Sequence, residues 1–310
     1  MGSLSHLLSM HDLDAQTIFS ILDAAEGFRD ISRRTIKKVP TLRGRSILTV
    51  FYEASTRTRV SFELAGKRLS ADVVNISSSG SSVSKGESLQ DTAQTLDAMQ
   101  ADAMVVRHPA SGAAAFIAKY VRAKVINAGD GQHEHPTQSL LDLMTIRSRF
   151  KTFEKLEITI LGDILHSRVA RSNFIALRML GAHVRVYGTD TLLPRDLREA
   201  YGCTVCSSMR EALSGAQVVM TLRLQQERMT AGLLPSLREY SMEFGVNAEQ
   251  LKHTHPDAIV MHPGPVNRGV ELSPDVMDGK RSVILEQVEN GVAIRAAVLY
   301  FLLGNDTSDV

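Results

Sequence analysis

Ser46-Ile47-Leu48-Thr49-Val50-Phe51-Tyr52-Glu53-Ala54-Ser55-Thr56-Arg57-Thr58-Arg59-Val60 is the stretch that decides the fold. Its first half is a continuous apolar, β-rich run. Its middle is polar and rich in hydroxyls, and Val60, Leu64 and Leu69 then recur at helical spacing. The spacing predicts strand, turn and helix in that order. A strand that is apolar without alternation has both faces covered, as happens in a parallel sheet held between helix layers.

Working outward, the same pattern repeats. Strands are expected at Ser46 to Tyr52, Asp72 to Ile76, Ala103 to Val106 and Lys124 to Asn127, with helical stretches between them. After a helix from about Pro136 to Arg149, a second series follows at Leu156 to Leu161, His183 to Tyr187, Gln217 to Leu222, Ala258 to Met261 and Val283 to Leu285. Asp12 is the expected N-cap of an opening amphipathic helix, and Val288 to Leu303 reads as a long final helix. The fold expected is α/β: two doubly wound parallel-sheet domains with a cleft between them. The first spans residues 1–142, completed by a C-terminal helix (about 288–310) packing back on it, and the second spans 143–287.

A chain of 310 residues with 44% hydrophobic content can bury two ordinary cores. Lys plus Arg (35) nearly balances Asp plus Glu (34), so no broad field of one sign attracts nucleic acid or an anionic membrane. Any anion site must be local. The longest apolar runs, Ala113 to Ala118 and Val298 to Leu303, are too short to cross a bilayer, and the N-terminus lacks a basic-then-apolar leader; a cytoplasmic protein is expected. The two cysteines, Cys203 and Cys206, lie in a short strand-like segment with no further thiols or histidines at metal-ligand spacing. They read as buried structural residues, with no metal and no cofactor expected.

The turn before Val60 is the first element with chemical meaning. At a helix N-terminus, backbone N–H groups and the positive end of the helix dipole favour a phosphate, and Ser55, Thr56 and Thr58 add hydroxyl donors. Arg57 adds a planar fork that matches phosphate oxygens two at a time. Alone, the segment would read as a Ser/Thr cap followed by a solvated basic face. Three further elements weigh against that: a serine-rich loop from Ser81 to Lys85, Arg107-His108-Pro109 at a strand end, and His135-Pro136-Thr137-Gln138 at a helix start. Neither GxxxxGK[ST] nor GxGxxG is present, which argues against ATP hydrolysis and against NAD.

Together these four segments resemble the carbamoyltransferase family across nearly the whole chain, and within it the members that act on aspartate. The resemblance implies that Ser55, Thr56, Arg57 and Thr58 bind the phosphate of carbamoyl phosphate, and that Arg107, His135 and Gln138 hold the carbamoyl group. It also implies that Ser81 and Lys85 reach a neighbouring subunit's site in a homotrimer. The first domain would then bind carbamoyl phosphate and the second L-aspartate. Arg168, which follows Leu161-Gly162-Asp163, matches one carboxylate-binding arginine of the family, and Arg223-Leu224-Gln225 matches its other such segment; Lys85 would join them on aspartate. Two arginines suit a substrate with two carboxylates, whereas ornithine would need an acidic partner for its ammonium group. The Ser-Met-Gly and His-Cys-Leu-Pro segments of the ornithine branch are missing. His262-Pro263-Gly264-Pro265 stands at the latter position, with Gly264 in place of the family's leucine or alanine, and the backbone at Gly264 and Pro265 is expected at the carbamoyl group.

The implied reaction gives N-carbamoyl-L-aspartate and phosphate, an early committed step of pyrimidine biosynthesis. Charge builds on the carbonyl oxygen as the amine attacks, so Thr58, Arg107 and His135 are the expected catalytic donors. Phosphate, as leaving group, carries oxygens that accept the amine proton, and ordered binding with carbamoyl phosphate first is expected. Some relatives associate with zinc-containing regulatory chains or a dihydroorotase, and the sequence assigns neither partner.

Overall fold

The computed structural model describes residues 4–77, 87–225, 233 and 236–304. The chain divides into two compact units, 1–144 with 288–310, and 145–287.

In the first unit, α1 (Ala15–Ser32) precedes β1 (Ser46–Phe51), α2 (Thr56–Arg68), β2 (Asp72–Ser77), α3 (Leu89–Asp97), β3 (Ala103–His108), α4 (Ala113–Ala118), β4 (Lys124–Asp130) and the start of α5 (Pro136–Phe150), whose residues from Thr145 onward belong to the second unit. The four strands form one parallel sheet in the order β2-β1-β3-β4. β1 is central and carries Ile47, Leu48, Val50 and Phe51 into the core, as its unbroken apolar run requires. Phe62 of α2 is wholly buried, which is worth about 2–3 kcal/mol relative to exposure.

The second unit continues with β5 (Glu157–Leu161), α6 (Arg168–Met179), β6 (His183–Tyr187), α7 (Leu197–Tyr201), β7 (Thr204–Val205), α8 (Met209–Leu213), β8 (Val218–Thr221), α9 (Leu237–Phe244), β9 (Ile259–Met261) and α10 (Pro274–Met277). Its parallel sheet runs β7-β6-β5-β8-β9. The last helix is α11 (Ile284–Leu303), and its residues from Val288 onward belong to the first unit. The α/β class and the two parallel sheets expected from the sequence are borne out.

Two local expectations are corrected. Asp12 does not cap α1: its carboxylate accepts N–H bonds from Leu8 and Ser9, and Asp14 caps the helix by accepting from Thr17. Asp12 and Asp14 are both good caps, and only the turn at residues 10–12 decides between them. Val283 to Leu285 is not a strand. Backbone bonds pass from Val260 N to Arg281 O and from Val283 N to Val260 O, and the chain enters α11 at Ile284. Leu285 is left 83% exposed, so the run's apolar look did not mean burial.

Candidate active site

In each sheet one strand is the point from which successive connections leave in opposite directions, and ligands of open α/β sheets gather at the carboxyl end of that crevice. In the first unit it lies between β1 and β3, in the second between β5 and β8. The arginines singled out from the sequence lie at the carboxyl ends of those four strands or just beyond them.

Ser55 is the N-cap of α2, its Oγ accepting from Thr58 N at 3.3 Å, so it meets the ordinary capping requirement as well as lying at the anion position. Thr56 and Arg57 are exposed in the first turn, while Thr58 is buried. Across the crevice Arg107, at the end of β3, reaches back to Glu53 (Nη2 to Oε1, 3.4 Å) and donates from Nη1 to the carbonyl of Ala128 at 3.3 Å. Tyr52 N donates to Arg107 O at 2.9 Å, and the Tyr52 and His108 rings meet edge to face. Burial lowers the His108 pKa, so this ring favours its neutral form.

The loop after β4 closes against the loop after β3. Gly131 N donates to His108 O at 2.8 Å and Gly112 N to Asp130 Oδ2 at 2.6 Å. Gly131 has φ +48°, and a Cβ there would meet Ser111 Oγ at 2.5 Å, so this approach needs glycine. Burial alone would push the Asp130 carboxyl up, but bonds from His133, Asn127 and Gly112 outweigh it and hold it below the usual carboxylate range. His133, for which the sequence offered no role, is therefore a partner of Asp130, with Nδ1 3.1 Å from Oδ2. His135 and Gln138 follow, both buried, at the start of α5. Gln138 Nε2 donates to Asp142 Oδ1 at 3.0 Å. Asp142 also faces Arg295 of α11, whose pKa burial lowers to about 9 despite that carboxylate, and the Arg295 guanidinium lies 5.2 Å from the Phe62 ring centroid.

In the second unit Arg168 opens α6, buried, next to its N-cap Ser167. A cation in a first turn opposes the helix dipole. Three other capped helices place an acid there, with Asp91 in α3, Glu211 in α8 and Glu239 in α9. α2 and α6 carry arginine and no acid in that turn, and both follow a switch strand. An anion completes such an arrangement electrostatically.

Beyond β8, Arg223-Leu224-Gln225 is held by its backbone. Leu224 N donates to Glu271 Oε1 at 2.8 Å and Gln225 N to Asp163 Oδ2 at 3.3 Å, while Gln225 Nε2 donates to His166 O at 3.1 Å. Glu271 also accepts from Asn267, and Asp163 Oδ1 lies 2.8 Å from His166 Nδ1. Burial raises the Glu271 pKa, outweighing the N–H bonds it accepts. Burial, with Glu271 and Asp163 nearby, raises that of the Tyr240 hydroxyl. Sequence reasoning gave no role to Asp163, Glu271 or Asp142; their signal was acidic residues inside otherwise apolar or site-forming segments. Gly264, at φ +67°, adopts a backbone region that favours glycine, and its N–H donates to His262 Nδ1 at 2.7 Å. Ser81 and Lys85 lie outside the described residues. Cys203 and Cys206 are buried and unbridged, and burial pushes the Cys203 thiol up to about 12. Among the described residues, no three His, Cys, Asp or Glu side chains gather as metal ligands.

The family model for "Aspartate/ornithine carbamoyltransferase, carbamoyl-P binding domain" matches residues 5–148, and that for the "Asp/Orn binding domain" of the same family matches 154–302. The chain belongs to the aspartate/ornithine carbamoyltransferase family. It is 57% identical over 301 residues to the aspartate carbamoyltransferase catalytic subunit of Syntrophotalea carbinolica, covering 97% of this chain and 96% of that one. The subunit of the same name from Sorangium cellulosum is 59% identical over 297 residues, covering 96% and 92%. Among solved structures, aspartate transcarbamoylase from Trypanosoma cruzi in complex with N-(phosphonacetyl)-L-aspartic acid superposes with a TM-score of 0.87 at 30% identity, covering 97% and 96% of the two chains. Ornithine carbamoyltransferase from Pyrococcus furiosus also gives 0.87 at 30%, covering 98% and 99%. Backbone shape therefore does not separate the two branches of the carbamoyltransferases; the side chains beyond β5 and β8 must.

Proposed function

We propose that this chain transfers the carbamoyl group of carbamoyl phosphate to the amino group of L-aspartate, giving N-carbamoyl-L-aspartate and phosphate, an early committed step of pyrimidine biosynthesis. One observation carries the proposal: the switch strand of each unit leads into a helix whose first turn holds arginine where the dipole favours an acid, which supports one anion site per unit. The first proposed domain, 1–142 with about 288–310, takes carbamoyl phosphate through Ser55, Thr56, Arg57 and Thr58, with Arg107, His135 and Gln138 on the carbamoyl group. The second, 143–287, takes aspartate through Arg168, Arg223 and Gln225, and the Gly264-Pro265 backbone serves the carbamoyl nitrogen. The choice of aspartate is supported by these two arginines and by 57–59% identity to catalytic subunits named for it.

As the amine attacks, the carbonyl oxygen gains charge, and Arg107, His135 and Thr58 donate to it. Each well-aimed donor lowers the barrier by about 3 kcal/mol, roughly a hundredfold in rate. The departing phosphate accepts the amine proton, so His135 acts as donor and not as base. Ser81 and Lys85 complete the site of a neighbouring subunit in a homotrimer. Association is supported by apolar surface at Val60 and Leu64 of α2 and at Val74 on β2, an edge strand. A cytoplasmic location is part of the same proposal; among the described residues no helix is long and apolar enough to cross a membrane.

The test is product formation from carbamoyl phosphate with aspartate and ornithine offered separately to wild type and Arg57→Ala. Turnover with aspartate alone, lost in the variant, is expected. Turnover with ornithine would overturn the roles given to Arg168, Arg223 and Gln225.

A further inference from the structure

His135 is the one buried ring among the proposed oxyanion donors, and the residue before it is fastened to the far N-terminal end of the chain. Glu134 is 2% exposed. Its backbone is fixed on both sides by Asp130, which receives Glu134 N at Oδ1 (3.1 Å) and donates its own N–H to Glu134 O (3.2 Å). The Glu134 side chain points to residues 125 and 124 positions earlier: Ser9 Oγ donates to Oε1, and Met10 N donates to Oε2 at 2.9 Å. His133 Nε2 lies 3.9 Å from Glu134 Oε1.

The segment that reaches Glu134 is itself firmly seated. Leu7 lies parallel to β4, with Leu7 N bonded to Val125 O at 2.9 Å and Asn127 N to Leu7 O at 2.8 Å. Asn127 Nδ2 donates to Leu8 O and, at 2.8 Å, to Asp130 Oδ1, so one amide ties the strap to the loop that carries Glu134. The Asp12 carboxylate draws in the N–H groups of Leu8 and Ser9, and Ser9 Oγ accepts from His11 N, which aims its hydroxyl proton at Glu134. Leu7, Met10 and Leu13 are buried beneath. On the other side of His135, its carbonyl accepts from Gln138 N at 2.9 Å and Ser139 N at 3.3 Å.

We propose that residues 7–12 form a strap that positions the His135 ring, with Glu134 as the positioning residue through which it acts. The consequence for catalysis rests on the carbamoyl-transfer function proposed above. A strand-loop-helix unit fixes the start of α5 but leaves the preceding loop several ways to arrive. Anchoring residue 134 by backbone and side chain at once leaves His135 one approach, which is what a donor aimed at a developing charge needs. Glu134 touches no reacting atom in this scheme.

The test uses the full chain with Glu134→Gln, Ser9→Ala and the double variant. Three readouts are followed: kcat and KM for carbamoyl phosphate, calorimetric affinity for inorganic phosphate, and the ¹⁵N-histidine NMR signal of the His135 ring, assigned with His135→Asn. Glu134→Gln is expected to lower kcat by about tenfold to a hundredfold, the cost of slight misplacement of a catalytic group. Phosphate affinity should stay within about twofold, and the His135 signal should move. Ser9→Ala should lower kcat by less, roughly fivefold, because the Met10 N–H still holds the other Glu134 oxygen. The double variant should be no worse than Glu134→Gln alone, because both remove the same contact. A folded variant with wild-type kcat and an unmoved His135 signal overturns the proposal, as does parallel loss of kcat and phosphate affinity with that signal unmoved. Should Glu134→Gln fail to fold, Ser9→Ala decides by the same readouts. If wild type shows no carbamoyl transfer, the proposed function fails, while the His135 signal still decides whether the strap positions the ring.

Discussion

The two units solve the same electrostatic problem by different means. In the first, the anion position is built from consecutive residues: Ser55 caps α2, Thr56 and Arg57 occupy its first turn, and Thr58 closes the cap. In the second, Arg168 opens α6 in the same way, but its companions Arg223 and Gln225 sit on a segment whose backbone hangs from two buried carboxylates, Asp163 and Glu271. A phosphate, round and highly charged, is met by a local turn. A dicarboxylate has to be met at two ends, and the second end is supplied by chain segments that only folding brings together.

The largest effect that would break this contrast is on the local side. Arg57→Ala should lower kcat/KM for carbamoyl phosphate by roughly a thousandfold, since it removes a charged fork at the transferring group's phosphate. A change under tenfold in steady-state assays would mean that backbone and hydroxyls suffice there.

Next comes the assembled side. Glu271→Ala leaves the N–H groups of Leu224 and Asn267 without their acceptor, at a cost of about 1–3 kcal/mol. The aspartate KM should rise by about tenfold while phosphate affinity, read by calorimetry, is unchanged; equal losses in both would erase the distinction between the units.

A smaller effect concerns acid stability of the first unit. The Asp130 pKa is depressed in the folded state, so its contribution is fully present above the ordinary carboxylate pKa of about 4 and fades as pH falls through the folded value. The Tm gap between wild type and Asp130→Asn should accordingly be widest near neutral pH and narrow below about pH 4 in thermal scans. A gap that widens on acidification would reverse the assignment.

The smallest effect is expected at Cys203. With its thiol pushed up to about 12 and buried, it should resist iodoacetamide at pH 8, and Cys203→Ala should leave turnover within about twofold. Rapid labelling of the folded chain would instead mark the CxxC segment as accessible chemistry.

Legibility followed the same division. Ser55 to Arg59 could be read because strand, cap and helix follow one another in the chain, so each residue's place is set by its neighbours. Arg107 and His135 could be read as strand-end and helix-start residues, although the closure of the loops after β3 and β4 through Gly131 and Asp130 could not. Asp12 was read as the cap of α1, and the turn at residues 10–12 passes that role to Asp14. Val283 to Leu285 looked like a strand because three apolar residues in a row carry no period, and only the bridge beside Val260 showed where the chain turned into α11.

What the sequence determined by itself is therefore the α/β class, the strand-helix rhythm and the arginine-bearing first turns, all consequences of short-range periodicity and local charge. What only the tertiary structure decided is which acids hold them in place. Glu134 with Ser9, Asp142 facing Arg295, Glu271 with Leu224 and Asp163 with Gln225 are pairings across long stretches of chain, apart from the local Gln138–Asp142 bond. A buried carboxylate must find donors wherever packing supplies them, and sequence distance carries no record of that choice.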